Sequence, residues 1–194
     1  MEYFESDCWS KAHKRYIDGD LDGAIEICIS KECSESSDCQ RLAAWAFYSK
    51  NLYDMAMHYF KIAAAKGDIE SHFGIGCACY ALGDYMMAID SFSRAAELGY
   101  GRAYHWVGGM YMNGIGVPMK YWKAVYFLCL GADAGYLISQ RWLISVENKR
   151  GGIFRKIFNF PRYLSVILRG AIIAVKNPKD ERIIDVPNAF DRFN

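Results

Sequence analysis

The chain has 194 residues, enough for one ordinary domain or a short array of repeats. Its 53% hydrophobic content supplies a continuous core and excludes a largely disordered chain, while 15% aromatic residues leave some rings at or near the surface, where Tyr and Trp favour partners. The net charge of +1 hides a polarity: residues 1–100 carry 16 Asp/Glu against 9 Lys/Arg, residues 101–194 carry 6 against 14, and residues 148–179 hold eight Lys/Arg and no acid. Such asymmetry implies two different neighbours, or one that reads both ends.

The N-terminus, Met1-Glu2-Tyr3-Phe4-Glu5-Ser6-Asp7, has no basic start followed by an apolar run, so no secretory leader is expected. The seven cysteines are odd in number and recur at no fixed place, which favours reduced thiols and a cytoplasmic protein over a disulfide framework.

A period of 32 residues organises the chain: it relates Ala12, Ala44, Gly76 and Gly108, then Ala24, Ala56 and Ala88, then Tyr16, Tyr48 and Tyr80. Self-similarity at this step marks stacked helical hairpins, each a helix A, a tight turn and a helix B. The first hairpin is predicted as helix A over Ser6–Asp18, the turn Asp18-Gly19-Asp20, and helix B to about Lys31. The second begins at Ser37-Asp38-Cys39-Gln40, which reads as a capping box, turns at Lys50-Asn51-Leu52 and ends at Gly67. The third turns at Leu82-Gly83-Asp84 and ends at Gly99. The recurring small residues fit where packed helix axes come closest, with Phe60, Phe92 and Leu128 filling the space between units.

In the fourth hairpin Gly108 and Ala124 are 16 positions apart rather than 12, which lengthens the turn Asn113–Pro118 and places Pro118 to open helix B. The stretch Ala103-x-x-Trp106-Val107-Gly108-x-x-Tyr111-x-x-Gly114-x-Gly116-Val117, with Ala124, Gly131-Ala132 and Gly135, resembles the Sel-one-like repeat, a relative of the tetratricopeptide repeat. The likeness extends over residues 5–145; the first three hairpins keep the spacing but have the shorter inner turn of tetratricopeptide repeats. The resemblance implies an all-α, right-handed solenoid of four repeats plus a partial fifth, with the A helices lining the concave side. It also implies an adaptor or scaffold role without catalysis. A fifth helix A, about Tyr136–Asn148, carries Ile144 where a small residue is expected and reads as the start of a cap, so the repeat array is taken as residues 5–148 and the cap and tail as 149–194.

If the A helices face a groove as the resemblance implies, three rows project into it. Trp9, Arg41, Phe73 and His105 form one, continued by Arg141 after the longer step; His13, Trp45 and Cys77 form the second; Tyr16, Tyr48 and Tyr80 form the third. Aromatic and Arg side chains dominate binding energy in buried interface patches, so a partner protein or peptide laid across the rows is one reading. The other is that several of these rings pack between neighbouring A helices. The resemblance leaves two roles open, a scaffold joining pathway components or a neutraliser that covers one toxin or effector.

The basic, apolar segment after Gly151-Gly152 has two readings of its own. Phe154, Ile157 and Phe158, with Arg155 and Lys156 at headgroup level, suit a weak contact with an anionic membrane surface and a peripheral location. The apolar stretch Tyr163–Val175 is shorter than the ~20 residues a membrane span needs. Alternatively the segment covers the apolar end of the array, the preferred reading for a helix apolar nearly all round.

No chemistry is legible. The spacings of Cys28, Cys33, Cys39 and Cys77-x-Cys79 do not form paired zinc knuckles. Gly74-x-Gly76 and Gly114-x-Gly116 lack a third glycine and a preceding strand, and His13, His58, His72 and His105 have no partner at dyad or triad spacing. An enzyme, a metal, a cofactor and a small-molecule substrate are not expected, nor is nucleic acid, since the acidic first half would repel phosphate.

Overall fold

The computed structural model describes the backbone of residues 2–150 and of 161, 164–166, 168–169, 171–173 and 175–176, with side chains from Cys8 to Val146 and at those later positions. All regular structure among the described residues is helical. The chain divides into two compact units, Met1–Tyr100 and Gly101–Asn194.

Unit 1 holds three helical hairpins: α1 (Glu2–Ile17) with α2 (Leu21–Ile29), α3 (Ser37–Ser49) with α4 (Tyr53–Ala65), and α5 (Ile69–Leu82) with α6 (Tyr85–Glu97). The inner turns repeat one solution. Gly19 and Gly83 take φ of 87° and 84°, and between them Asn51, the residue that best substitutes for glycine there, takes 59°. Asp20 and Asp84 then cap the B helices, accepting from the amides of Gly23 at 2.9 Å and Met87 at 3.1 Å. Leu52 holds the equivalent place before α4 and gives no side-chain cap.

The small residues lie where the period puts them. Ala12 and Ala44 are fully buried, and a Cβ on Gly76 would stand 2.6 Å from the Phe92 ring. Phe60 and Phe92 are themselves fully buried, and the backbone of α5 passes between them at Gly74 and Gly76. This is close packing that a methyl group would break.

Unit 2 contains α7 (Gly101–Asn113), α8 (Tyr121–Asp133) and α9 (Leu137–Arg150). Gly108 meets Leu128 as Gly76 meets Phe92, with a virtual Cβ 2.8 Å away. Ile144 and Leu137 of α9 form a core with Val166, against which Ile173 packs, so one face of the later helical residues covers α9.

Three local expectations are corrected. The first helix starts at Glu2, ahead of Ser6. The capping box at Ser37 and Gln40 does not form: Ser36 is the N-cap without a side-chain bond, and Gln40 Nε2 instead donates to the Ser34 carbonyl at 2.6 Å, tying down the preceding loop. Pro118 stays in the turn, because α8 begins at Tyr121 after the Lys120 amide has bonded the Tyr111 carbonyl at 3.0 Å.

Candidate functional site

The odd-numbered helices of unit 1 lie side by side, α3 between α1 and α5. Their rows of singled-out residues are joined by polar contacts. Arg41 on α3 is the hub, with Asp38 at 2.7 Å on its own helix, Asp68 at 2.8 Å at the N-cap of α5, and Glu70 at 3.4 Å in the first turn of α5. Burial works against the Arg41 charge, yet Glu70, Asp68 and Asp38 together raise its pKa. Trp45, one turn further along, donates its indole N–H to the same Glu70 at 3.0 Å. Three carboxylates around one guanidinium leave this part of the face acidic.

The rings beside the hub are half-buried. Trp45 sets its edge on Phe60 at 4.9 Å and on Tyr48 at 5.6 Å, and Tyr48 meets Tyr53 at 5.3 Å. Burial first, then Cys77 and Tyr53, pushes the Tyr48 phenol well above its ordinary pKa, so it stays a neutral donor. On α1, Trp9 and His13 stack at 4.6 Å, and the Tyr16 hydroxyl lies 3.4 Å from Ser49 Oγ. Tyr80 is half-buried against Tyr85 at 5.1 Å.

Three residues expected to project into the groove are interior, among them Cys77 at 2% exposure. Phe73 is fully buried under the Phe92 and Tyr100 rings, and His105 in unit 2 is 3% exposed with the Trp142 ring edge-on at 5.5 Å. Packing between neighbouring helices, the second reading of the rows, holds for both. Arg141 of α9 is exposed. Phe154, Arg155, Lys156, Ile157 and Phe158 lie outside the described residues.

Two exposed apolar surfaces lie in unit 2, of which the one on α8 was not foreseen. On α8, Trp122 is 67% and Tyr126 56% exposed one turn apart, with Lys123 Nζ 5.7 Å from the Trp122 ring centre. Their counterparts in the earlier B helices are Asp54 and His58, then Met86 and Asp90, so alignment of the repeats carried the signal. Beyond α9, Leu164, Leu168, Ile172 and Val175 recur at helical spacing and all are exposed, while Arg169 and Lys176 stand beside them on the same helical sequence.

Among the described residues no group of three or more His, Cys, Asp and Glu is arranged to hold a metal ion, and no helix is long and apolar enough to cross a membrane.

No family model and no curated protein matches the sequence. Solved structures do match in fold. A protective antigen of uropathogenic Escherichia coli strains, which displays an SLR fold, is 22% identical over 64% of this chain, with a TM-score of 0.54; this chain spans 28% of the antigen's length. MamA is 19% identical over 82% of this chain and 96% of its own, with a TM-score of 0.64, and a second MamA structure is 18% identical over 91% and 97%, with a TM-score of 0.59. The chain shares with these proteins an all-helical repeat fold.

Proposed function

We propose that the chain is a non-catalytic, cytoplasmic interaction module that binds another protein through the α1/α3/α5 side of unit 1. The observation that carries this is the combination of half-exposed Trp9, His13, Tyr16, Trp45 and Tyr48 with a surplus of carboxylates at Arg41. Rings supply contact area at low entropic cost, and the carboxylates favour a partner segment bearing Lys or Arg. The fold shared with helical-repeat proteins supports the same reading, by analogy of architecture. A scaffold would hold two partners at once and a neutraliser one, so the stoichiometry of the captured complex separates the two roles.

The test is affinity capture from native lysate with the full chain, repeated with Asp38→Lys combined with Glu70→Gln. Capture of the specific partner is expected to fall roughly tenfold with unchanged helical circular dichroism, and to weaken with salt. Substituting His58 by Ala on the exposed side of α4 is the control and leaves capture intact. Equal capture by both variants rules out this face.

A second reading, peripheral contact with an anionic membrane surface, is favoured by the exposed row Leu164, Leu168, Ile172 and Val175 within a segment rich in Lys and Arg. Leu168→Glu with Ile172→Glu is expected to abolish co-sedimentation with phosphatidylglycerol-containing vesicles without unfolding the chain. Binding unaffected by these charges, or equal on pure phosphatidylcholine, counts against it.

A further inference from the structure

Four of the seven cysteines converge in unit 1. Cys28 near the end of α2, Cys33 in the connection 30–36 and Cys39 in the first turn of α3 are at most 1% exposed and share one core cluster; half-buried Cys8 of α1 packs against it. Within this cluster the thiols are neighbours, Cys33 beside Cys8 and Cys39, and Cys39 beside Cys28. This is a row, and no metal-ligand set is present among the described residues. Cys77 and Cys79 lie apart on α5, and Cys129 is exposed on α8.

We propose that this row is a thiol–disulfide exchange site, which takes one disulfide bond from a low-molecular-weight disulfide at Cys8 and passes it inward to rest between Cys28 and Cys39. Cys8 is the entry because it alone of the four has appreciable solvent exposure. Its thiolate attacks the small disulfide and releases one small thiol; Cys33 attacks the Cys8 sulfur, releases the second and closes Cys8–Cys33. Cys39 then attacks Cys33 and frees Cys8, and Cys28 attacks Cys39 and frees Cys33. In sum, two protein thiols lose two electrons and two protons, and one small disulfide becomes two small thiols. No other oxidant is required.

The acidity of Cys39 suits the middle step, its attack on Cys33. The neighbouring Cys28, then Ser36 and Cys33, hold the Cys39 pKa below that of an ordinary thiol, against burial. Contact with Cys39 and burial push Cys28 up, and burial foremost pushes Cys33 up. Cys39 therefore ionises more readily than Cys28 and Cys33, in a helix first turn whose amides favour negative charge. The resting bond joins α2 to α3, the first hairpin to the second, where no exogenous thiol has access.

The experiment uses the full chain with Cys129→Ser, to prevent links between chains, equilibrated with glutathione at rising oxidised-to-reduced ratio. The chain is then acid-quenched, alkylated and mapped by mass spectrometry. One disulfide between the Cys28 and Cys39 peptides is expected, with Cys77 and Cys79 fully alkylated. Cys8→Ser and, separately, Cys8→Ala are expected to slow its formation roughly tenfold while leaving the same final bond. With Cys28→Ala the bond stops at Cys33–Cys39. Full alkylation of all four thiols under oxidised glutathione, a bond involving Cys77 or Cys79, or a rate indifferent to both Cys8 variants would overturn the proposal. So would a stoichiometric metal ion released from the purified chain by thiol modification.

Discussion

Gly76 shows how much a single hydrogen in place of a methyl contributes here. Its α-carbon faces the buried Phe92 ring, and the ring has Phe73 packed against it at 5.3 Å, so it has little room to withdraw. Gly76→Ala gains helix propensity, worth ~1 kcal/mol, but overpacks a closed site at a cost of about 1–3 kcal/mol. We expect net destabilisation, read as a lower urea midpoint at unchanged slope; a neutral or stabilised variant would mean the ring moves aside. This residue was legible in the sequence because its neighbours in the period, Ala12 and Ala44, are small for the same reason. Phe73 was not. The period sets which row a residue joins, but depth depends on what packs over it, and over Phe73 lie Phe92 and Tyr100. Trp9, in the same row on the first helix, stacks on His13 at 4.6 Å and keeps part of its exposure.

At the scale of the element, α5 is anchored through its first turn. Asp68 accepts from the Ser71 amide at 2.8 Å and the Ser71 hydroxyl at 2.5 Å while holding Arg41 at 2.8 Å, with only 10% of its side chain exposed. Asp68→Ala removes the cap and leaves Arg41 with fewer partners, so we expect a loss of about 1–2 kcal/mol in denaturant unfolding. Asp68→Asn, which retains an acceptor for the cap, is expected to recover part of it. Sequence reading recognised the helix but placed a capping box at Ser37, where the structure uses none: Gln40 is drawn instead to the Ser34 carbonyl, a longer-range demand that local pattern does not contain. The aromatic pair on α8 went unread for a different reason. The family resemblance points to the A helices, whereas this pair sits on a B helix, at positions that are Asp54 and His58 in the second hairpin and Trp122 and Tyr126 in the fourth.

For the molecule as a whole, the sequence offers two readings of the segment after α9, a cap or a membrane contact, and its described helical residues have one buried and one exposed apolar face. Val166 is buried with Leu137 and Ile144, whereas Leu164, Leu168, Ile172 and Val175 face outward. A chain ending at Asn148 loses the first face as well as the second. Uncovering Leu137 and Ile144 and deleting Val166 removes part of three apolar burials, roughly 2–4 kcal/mol in all. That loss falls on unit 2, since the core of unit 1 is built from α1 to α6. Hydrogen exchange followed by mass spectrometry is therefore expected to show faster exchange in α7–α9 of the truncated chain and unchanged protection in α3–α6. The double variant Leu168→Glu with Ile172→Glu keeps Val166 in place and is expected to leave both units protected. Equal protection of α7–α9 in the full and truncated chains would remove the covering role of Val166 and leave the outward row as the segment's one contribution.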